Sequence, residues 1–175
     1  RRAGTINPMG YCRGLARVAI AAGALISIGA RAKKLQQETG LWRVITNKGT
    51  LMARHVVLGT NAYTDDLWPG LKYSFTKINY FQLATTPLGD RIKHILPQQQ
   101  GLWDTGKIMF SLRRDDSERL IIGSMGNVMG NRSGGVSHRW AQKKLARLFP
   151  ELGWVGFDEA WQGQIAMTLD HLPHI

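Results

Sequence analysis

A run of glycines follows an apolar, strand-like segment and is the first place to look for phosphate chemistry. Gly123, Gly126 and Gly130 lie in the sequence GSMGNVMG, and glycine amides can cradle phosphate oxygens. The dinucleotide pattern needs G-x-G-x-x-G at a strand-to-helix turn, and the P-loop needs G-K-[ST] after its glycines. Neither spacing occurs here, so residues 123–135 are predicted to form a flexible or substrate-covering loop.

Five histidines and one cysteine are the side chains that acid–base or nucleophilic chemistry would use. They are His55, His94, His138, His171, His174 and Cys12. His171 follows Asp170 in the last loop and is a candidate proton-transfer group. No serine stands in a G-x-S-x-G elbow, and no Cys/His group has zinc spacing. The sequence therefore shows no self-contained catalytic group and no metal site, and the catalytic residues stay unassigned.

The charge balance is strongly basic. The 175 residues include 23 Lys+Arg and 12 Asp+Glu, a formal net charge of +11. Such a chain attracts polyanions, so nucleic acid is carried as an alternative ligand. The basic residues are spread along the whole chain, however, and the aromatic segment 73–81 has only Lys72 and Lys77 beside it, unlike a basic RNA-binding strand. A solvated basic surface is favoured over a nucleic-acid site.

The composition, 43% hydrophobic and 20% charged, is typical of a globular protein. The most apolar stretch, residues 18–30, is too short for a transmembrane helix, which needs about 20 apolar residues. A signal peptide is a lesser alternative, because Gly23 and Gly29 interrupt the run and it lies well inside the chain. We expect a cytoplasmic protein without a membrane span.

Residues 14–28 predict a helix followed by a strand. Small and apolar residues at helical spacing cover 14–22, and Gly23 is a candidate C-cap. The apolar run 25–28 then predicts a short buried strand.

Residues 42–58 predict a β-hairpin that leads into a loop of small residues. Two strand-like segments, 42–47 and 50–58, flank Lys48-Gly49, and the second ends in an apolar run, 55–58, that suits a sheet interior. It stops at four small residues that allow close approach to the backbone: Gly59, Thr60, Asn61 and Ala62. Helix, strand, hairpin and loop together predict the later half of an α/β domain over residues 1–70.

Beyond residue 70 the pattern predicts an α+β domain over residues 71–175. Strand-like segments lie at 73–84, 107–112, 119–123 and 157–165. The middle two are joined by a charged turn that begins Arg113-Arg114. Residues 138–149 predict an amphipathic helix whose apolar face is Trp140, Leu145, Leu148 and Phe149. We expect a mixed or antiparallel sheet with helices on one face, joined to the partial α/β domain.

Six stretches of the chain follow one another in a familiar order and spacing. They are Asn7-Pro8 with Gly14-Leu15-Ala16; VVLGTNAYT at residues 56–64; Ile95-Leu96-Pro97; Trp103-Asp104-Thr105; Arg113-Arg114-Asp115 with Arg119-Leu120-Ile121; and W-x-G-x-I-A-x-T-x-D-x-L-P at residues 161–173. This series resembles the FAD-dependent amine and amino-acid oxidoreductases of the D-amino-acid oxidase superfamily, and most of all its gamma-glutamylputrescine oxidoreductase branch. The resemblance covers nearly the whole chain.

The resemblance implies that the chain is the central part of a flavoenzyme. In that family an N-terminal G-x-G-x-x-G unit binds the FAD pyrophosphate and a C-terminal glycine-rich segment completes the flavin site. Neither is present here, so the chain alone is expected to be inactive. The implied chemistry is hydride transfer from a C–H next to an amine nitrogen to flavin, followed by hydrolysis of the imine.

The resemblance also implies two groups of site residues. Residues 59–62 would approach the dinucleotide through their backbone. The strand that carries Trp161, Gly163 and Ile165 would run beside the flavin ring on the substrate side.

One position departs from the family pattern. Relatives that oxidise small amino acids place an Arg two residues after the glycine of the Trp-x-Gly strand, and here that position is Ile165. An aliphatic side chain cannot make the bidentate pair that Arg makes with a carboxylate. We therefore expect a longer amine or polyamine derivative as substrate. Arg113 or Arg114 is a candidate for binding a remote carboxylate, and His171 is a candidate pocket residue.

Two hypotheses from other classes stay open at this stage. One is a basic α+β module that binds nucleic acid or another polyanion, whose affinity would fall steeply as salt rises. The other is self-association of the fragment through the surface that the rest of an FAD domain would cover. Size-exclusion chromatography of the chain would then show an oligomer.

Overall fold

The computed structural model describes residues 4–128, 135–170 and 172. These residues form an α+β fold with two α-helices and eight strands. The helices are α1 (Pro8–Ala21) and α2 (Val136–Leu148). The strands are β1 (Ala32–Glu38), β2 (Leu41–Thr46), β3 (Gly49–Ala53), β4 (Thr76–Thr85), β5 (Leu102–Trp103), β6 (Phe110–Arg114), β7 (Leu120–Met125) and β8 (Phe157–Met167).

The chain divides into two compact units. The five-stranded unit takes its described residues from Arg1–Thr5 and Lys77–Ile165, and the three-stranded unit takes them from Ile6–Thr76 and Ala166–Ile175. The division of roles between residues 1–70 and 71–175 stays a prediction.

The three-stranded unit contains α1 and an antiparallel sheet in the order β1-β2-β3. The predicted hairpin forms, with Thr46 paired to Gly49 across the turn at Asn47-Lys48. Helix α1 begins earlier than its apolar spacing predicts. The Asn7 side chain caps it by accepting a 2.9 Å hydrogen bond from the Gly10 N–H, and Pro8 suits the first turn because it lacks an N–H.

In this unit one predicted strand is absent from the described chain and another is shorter than predicted. Residues 25–28 are irregular, and the strand predicted over 50–58 ends at Ala53, so residues 55–58 are irregular as well. Leu25 and Val57 are 100% and 91% exposed. An apolar run becomes a strand only when a neighbouring strand pairs with its backbone, and here neither run has one. The polar segment that became β1 was not predicted as a strand; β2 pairs with it over Ala32–Glu38.

The five-stranded unit is built on a sheet in the order β5-β6-β7-β4-β8. The pairs β5–β6, β6–β7 and β4–β7 are antiparallel. Apolar side chains of β4, β6 and β7 pack with α2 in one buried cluster, whose largest fully buried members include Leu83, Leu112, Leu120, Ile122 and Leu145. The predicted β6–β7 hairpin is confirmed, although β7 continues to Met125, so Gly123 lies in a strand and not in a loop.

Helix α2 is present as predicted and covers one face of this sheet. Ala141 and Leu145 are buried in the core, whereas Leu148, predicted on the apolar face, is 38% exposed in the last turn. His138 is also buried, with its ring edge-on to Phe157. Burial lowers the pKa of His138 because the charged imidazolium loses its hydration, and Nδ1 has no hydrogen-bond partner among the described residues.

Both helices are short. Helix α1 has 14 residues and α2 has 13, against about 20 for a bilayer span. Within the described part of the chain, no helix combines the length and the apolar character that crossing a membrane requires.

Candidate functional site

The five-stranded sheet has a second face, which points away from α2. On β4, Phe81 and Leu83 belong to the buried core, so alternation directs Tyr80 and Gln82 to the opposite face. Both of these side chains are only half-buried. This face therefore begins with polar groups that remain in reach of solvent.

Strand β6 adds two more polar residues to the same face. Phe110 and Leu112 lie in the core, so Ser111 and Arg113 point the same way as Tyr80 and Gln82. We call these four side chains, Tyr80, Gln82, Ser111 and Arg113, the polar sheet face.

Gly123 on β7 lies between the two strands and keeps the face flat. It pairs with Ser111 on one side and Gln82 on the other. A Cβ on Gly123 would stand 2.5 Å from Gln82 Nε2 and 2.6 Å from the Phe81 carbonyl oxygen. Because that Cβ is missing, Gln82 lies across the glycine, and the Tyr80 hydroxyl reaches Ser111 Oγ at 3.0 Å.

The two arginines of β6 have different roles. Arg114 Nη1 donates hydrogen bonds to the Ile92 and Lys93 carbonyls at 3.1 and 3.3 Å, which ties β6 to the turn after β4. Arg113 is half-buried, and its guanidinium has no hydrogen-bond or ion-pair partner within residues 4–128, 135–170 and 172. The predicted position of both in a solvated turn is wrong, because β6 extends through Arg114.

Strand β8 brings the other predicted substrate residues to this face. Phe157 and Ala160 both pack against the core, so the alternation of β8 is interrupted between them. From Ala160 onward it continues to Gln162, whose Oε1 accepts a hydrogen bond from the N–H of the core residue Val128, so Gln162 points toward the α2 side. Alternation then directs Trp161, Gly163 and Ile165 to the same side of the sheet as the polar sheet face. Trp161 and Ile165 are 42% and 45% exposed.

Arg113 therefore shares a sheet face with the three residues of β8 that were predicted from the family pattern. His171, the remaining candidate, lies outside the described residues. Tyr80, Gln82 and Ser111 were not predicted. The period-two alternation of β4 was the signal that could have found Tyr80, because it separates Tyr80 from buried Phe81.

The predicted cofactor loop belongs to the three-stranded unit. Residues Asn61–Tyr63 form one 3₁₀ turn, with Asn61 in the left-handed region at φ 45°. Asn61 Oδ1 accepts hydrogen bonds from the N–H groups of Ala62 at 2.6 Å and of Ala166 at 3.3 Å. Ala62 is buried. The loop thus holds its own shape through an Asn side chain.

The first residues of this loop leave backbone donors free. The N–H groups of residues 59–61 have no acceptor among the described residues, and nothing lies within 4 Å of a Cβ placed on Gly59. The hydroxyls of Thr60 and Thr64 lie 2.7 Å apart and fix the turn. Neighbouring free amides and an open glycine suit the oxygens of a phosphate group.

The histidines do not gather into a catalytic group in the part of the chain that the structure describes. His94 Nε2 lies 3.0 Å from Glu151 Oε1 on the surface, and this contact lowers the pKa of Glu151 by stabilising its carboxylate. His138 is enclosed under α2 and His55 is exposed. No three His, Cys, Asp or Glu side chains of the described residues are placed to hold a metal ion.

Comparison with known proteins gives one consistent family. A family model described as "FAD dependent oxidoreductase" (DAO) matches residues 1–175. The chain is 27% identical over 176 residues to the probable oxidoreductase OrdL of Haemophilus influenzae, with 98% of this chain covered. It is 29% identical over 132 residues to gamma-glutamylputrescine oxidoreductase of Escherichia coli, with 74% of this chain covered.

The fold also matches solved structures. The crystal structure of glycine oxidase from Geobacillus kaustophilus aligns with a TM-score of 0.68 at 19% identity, over 93% of this chain and 43% of that chain. The chain spans 40% of the length of the OrdL protein and 31% of the gamma-glutamylputrescine oxidoreductase.

Proposed function

Since the chain belongs to the FAD-dependent oxidoreductase (DAO) family, we propose that it is part of a flavoenzyme that oxidises the C–N bond of an amine or amino-acid-type substrate. The observation that carries the proposal is the match of the family model over residues 1–175. Similarity to gamma-glutamylputrescine oxidoreductase supports an amine as the group that is oxidised.

The loop at residues 59–62 fits a part in binding FAD. Its free N–H groups are suited to oxygen atoms of the dinucleotide, and Gly59 has no side chain that would keep a ligand from the backbone. FAD held there would supply the acceptor for a hydride from the carbon next to the substrate nitrogen, and the imine product would hydrolyse in water. The chain's own contribution is to hold the cofactor and orient the substrate.

The residues of β8 support a substrate other than a small amino acid. Trp161 offers an aromatic surface next to Gly163, which carries no side chain, and Ile165 is aliphatic. An amine with a longer apolar stem can pack on Ile165, whereas the α-carboxylate of glycine would lose its hydration there without gaining a cation. Gamma-glutamylputrescine or a related polyamine derivative is the substrate class that we propose.

A Gly59→Val variant is expected to bind FAD about tenfold more weakly or worse, which corresponds to about 1.4 kcal/mol. The added side chain would fill the open space beside the backbone, and it strains nothing because Gly59 does not have a positive φ. The measurement is the flavin-to-protein ratio of the purified full-length protein. Gly4→Val, at another open glycine with ordinary φ, is the matched control. Equal flavin content in Gly59→Val and wild type would contradict the role of this loop.

The proposed reaction is tested by the visible absorption spectrum of the full-length protein that carries this chain. Flavin bands are expected, and they are expected to bleach on anaerobic addition of gamma-glutamylputrescine or a related amine. Flavin bands that no amine bleaches would refute the substrate class. A colourless protein that cannot be reconstituted with FAD would refute the flavoenzyme proposal and favour the polyanion-binding alternative.

Three further properties expected from the sequence belong to the same proposal. We propose that residues 1–70 serve FAD binding and that residues 71–175 serve substrate binding. We also propose a cytoplasmic location, and self-association of the isolated chain through exposed apolar residues of the three-stranded unit, such as Leu25 and Val57.

A further inference from the structure

We propose that the polar sheet face binds a carboxylate that the substrate carries several bonds away from the oxidised carbon, with Arg113 as its cationic partner. This inference rests on the proposed function, which supplies the substrate class. It adds the anionic group that the substrate must have and the residues that recognise it.

Among the half-buried arginines of the described residues, Arg113 is the one without a hydrogen-bond or ion-pair partner. Arg31 and Arg43 pair with Asp65 and Glu38 on the surface, at 2.9 and 3.1 Å. Arg119 lies 3.8 Å from Asp158, and Arg114 is bound by backbone carbonyls. Arg113 is half-buried in a strand with no such contact among the described residues. A guanidinium that has lost part of its hydration gains most from an anion that arrives with the ligand.

The surroundings of Arg113 favour an anion and not a cation. The residues that β4, β6 and β7 direct to this face include no acidic side chain: Ile78, Tyr80, Gln82, Ala84, Ser111, Arg113, Ile121, Gly123 and Met125. Two carboxylates lie just beyond these strands and already have partners. Asp115 accepts hydrogen bonds from the N–H groups of Ser117 and Arg119, and Asp158 lies 3.8 Å from the Arg119 guanidinium. Ser111 lies two residues before Arg113 on β6, so the Ser111 hydroxyl is on the same side. The Gln82 amide has no hydrogen-bond partner in the described chain and supplies further donors over Gly123.

The strand order sets the distance between this anion site and the residues of β8. Strands β6 and β8 are separated by β7 and β4, which makes three inter-strand spacings, or roughly 14 Å between backbones. The long Arg113 side chain shortens the distance between β6 and β8. A carboxylate bonded directly to the reacting carbon beside β8 would still be too far away to reach the Arg113 guanidinium. The ligand that fits is an extended amine with a carboxylate at its far end. The aliphatic Ile165 is consistent with such a ligand, because a carboxylate bound by Arg113 needs no second cation on β8.

The kinetic test uses the FAD-loaded full-length protein and two substrates that differ in one group, gamma-glutamylputrescine and its α-carboxamide. Arg113→Gln is expected to raise KM for the acid about 10- to 100-fold and to leave kcat nearly unchanged. KM for the carboxamide is expected to stay the same. Arg113→Lys, which keeps the charge but not the forked geometry, should fall between wild type and Arg113→Gln. Arg147→Gln removes the same charge from the exposed surface of α2 and should change neither constant.

A binding measurement separates this inference from the proposed function. Calorimetry compares glutarate with glutaramide, which has the same length and no charge, on wild type, Arg113→Gln and Arg147→Gln. We expect glutarate to bind wild type and Arg147→Gln, and to bind Arg113→Gln about 10- to 100-fold more weakly. Glutarate that binds no better than glutaramide, or that binds Arg113→Gln as tightly as wild type, would overturn the inference. If no amine bleaches the flavin, the proposed function is refuted. The glutarate result would then decide by itself whether Arg113 forms an anion site.

Discussion

A Gly123→Ala variant is expected to lose about 1–3 kcal/mol of folding free energy, the usual cost of forcing an extra carbon into a packed site. The new Cβ would stand 2.5 Å from Gln82 Nε2 and 2.6 Å from the Phe81 carbonyl oxygen. Gln82 can swing away, but the carbonyl is part of β4, so β4 and β7 must move apart where they pair. Urea denaturation, with the free energy extrapolated to water, measures the loss.

Two further variants show whether this contact is the cause. Gly156→Ala, whose Cβ would lie 3.3 Å from a Thr86 methyl at an exposed position, should change the stability by less than about 1 kcal/mol. Adding Gln82→Ala to Gly123→Ala should relieve only part of the loss, because the backbone carbonyl remains. A Gly123→Ala protein as stable as wild type would show that the β4–β7 spacing is not as close as described.

Leu145→Ala is expected to have the largest effect on stability, about 2–5 kcal/mol. Leu145 is 1% exposed and belongs to the cluster that joins α2 to β4, β6 and β7, so its removal leaves a cavity that the sheet cannot collapse to fill. Leu148→Ala is the matched control on the same helix. Leu148 is 38% exposed, and its truncation should cost less than about 1 kcal/mol. Thermal or urea unfolding of both variants gives the comparison, and similar losses in the two would contradict the position of α2.

The elements that could be predicted from sequence are those that depend on contacts between residues close together in the chain. Helix α2 repeats its apolar residues at helical spacing up to Pro150, and the β6–β7 hairpin has two apolar runs joined by a charged turn. Each of these patterns describes contacts between neighbours along the chain. Such contacts are visible in the sequence before any tertiary partner is known.

The parts of the strand prediction that are wrong, residues 25–28 and the end of the strand predicted over 50–58, depend on partners far away in sequence. The apolar runs 25–28 and 55–58 have the composition of buried strands, but no strand of the described chain pairs with them. Strand β1 is the reverse case: its sequence AKKLQQE is polar, and the backbone of β2 makes it a strand. Composition describes what a strand would bury, whereas hydrogen-bond partners decide whether it forms.

The candidate site was predictable in part for the same reason. Trp161, Gly163 and Ile165 belong to a recognisable pattern on one strand. The grouping of Arg113 with Tyr80 and Gln82 needs the cross-strand register, which pairs Ser111 and Gln82 on either side of Gly123. Alternation alone would have shown that Tyr80 and Phe81 face opposite ways, but it could not show which other strands share the face with Tyr80.

The position of β8 in the sheet has a consequence for how the chain is made. Among the strands of this sheet, β8 is synthesised last and lies beside β4, which is synthesised first, so this edge of β4 stays unpaired while the intervening strands and α2 are synthesised. Closing so long a loop is slow, and an open strand edge invites pairing with other nascent chains. Polar and charged residues at the start of β4, including Lys77 and Asn79, reduce that risk during the delay. Translation that stops before Trp161 would leave a sheet with its main chain exposed at this edge and without the β8 residues for which we propose a role in substrate binding.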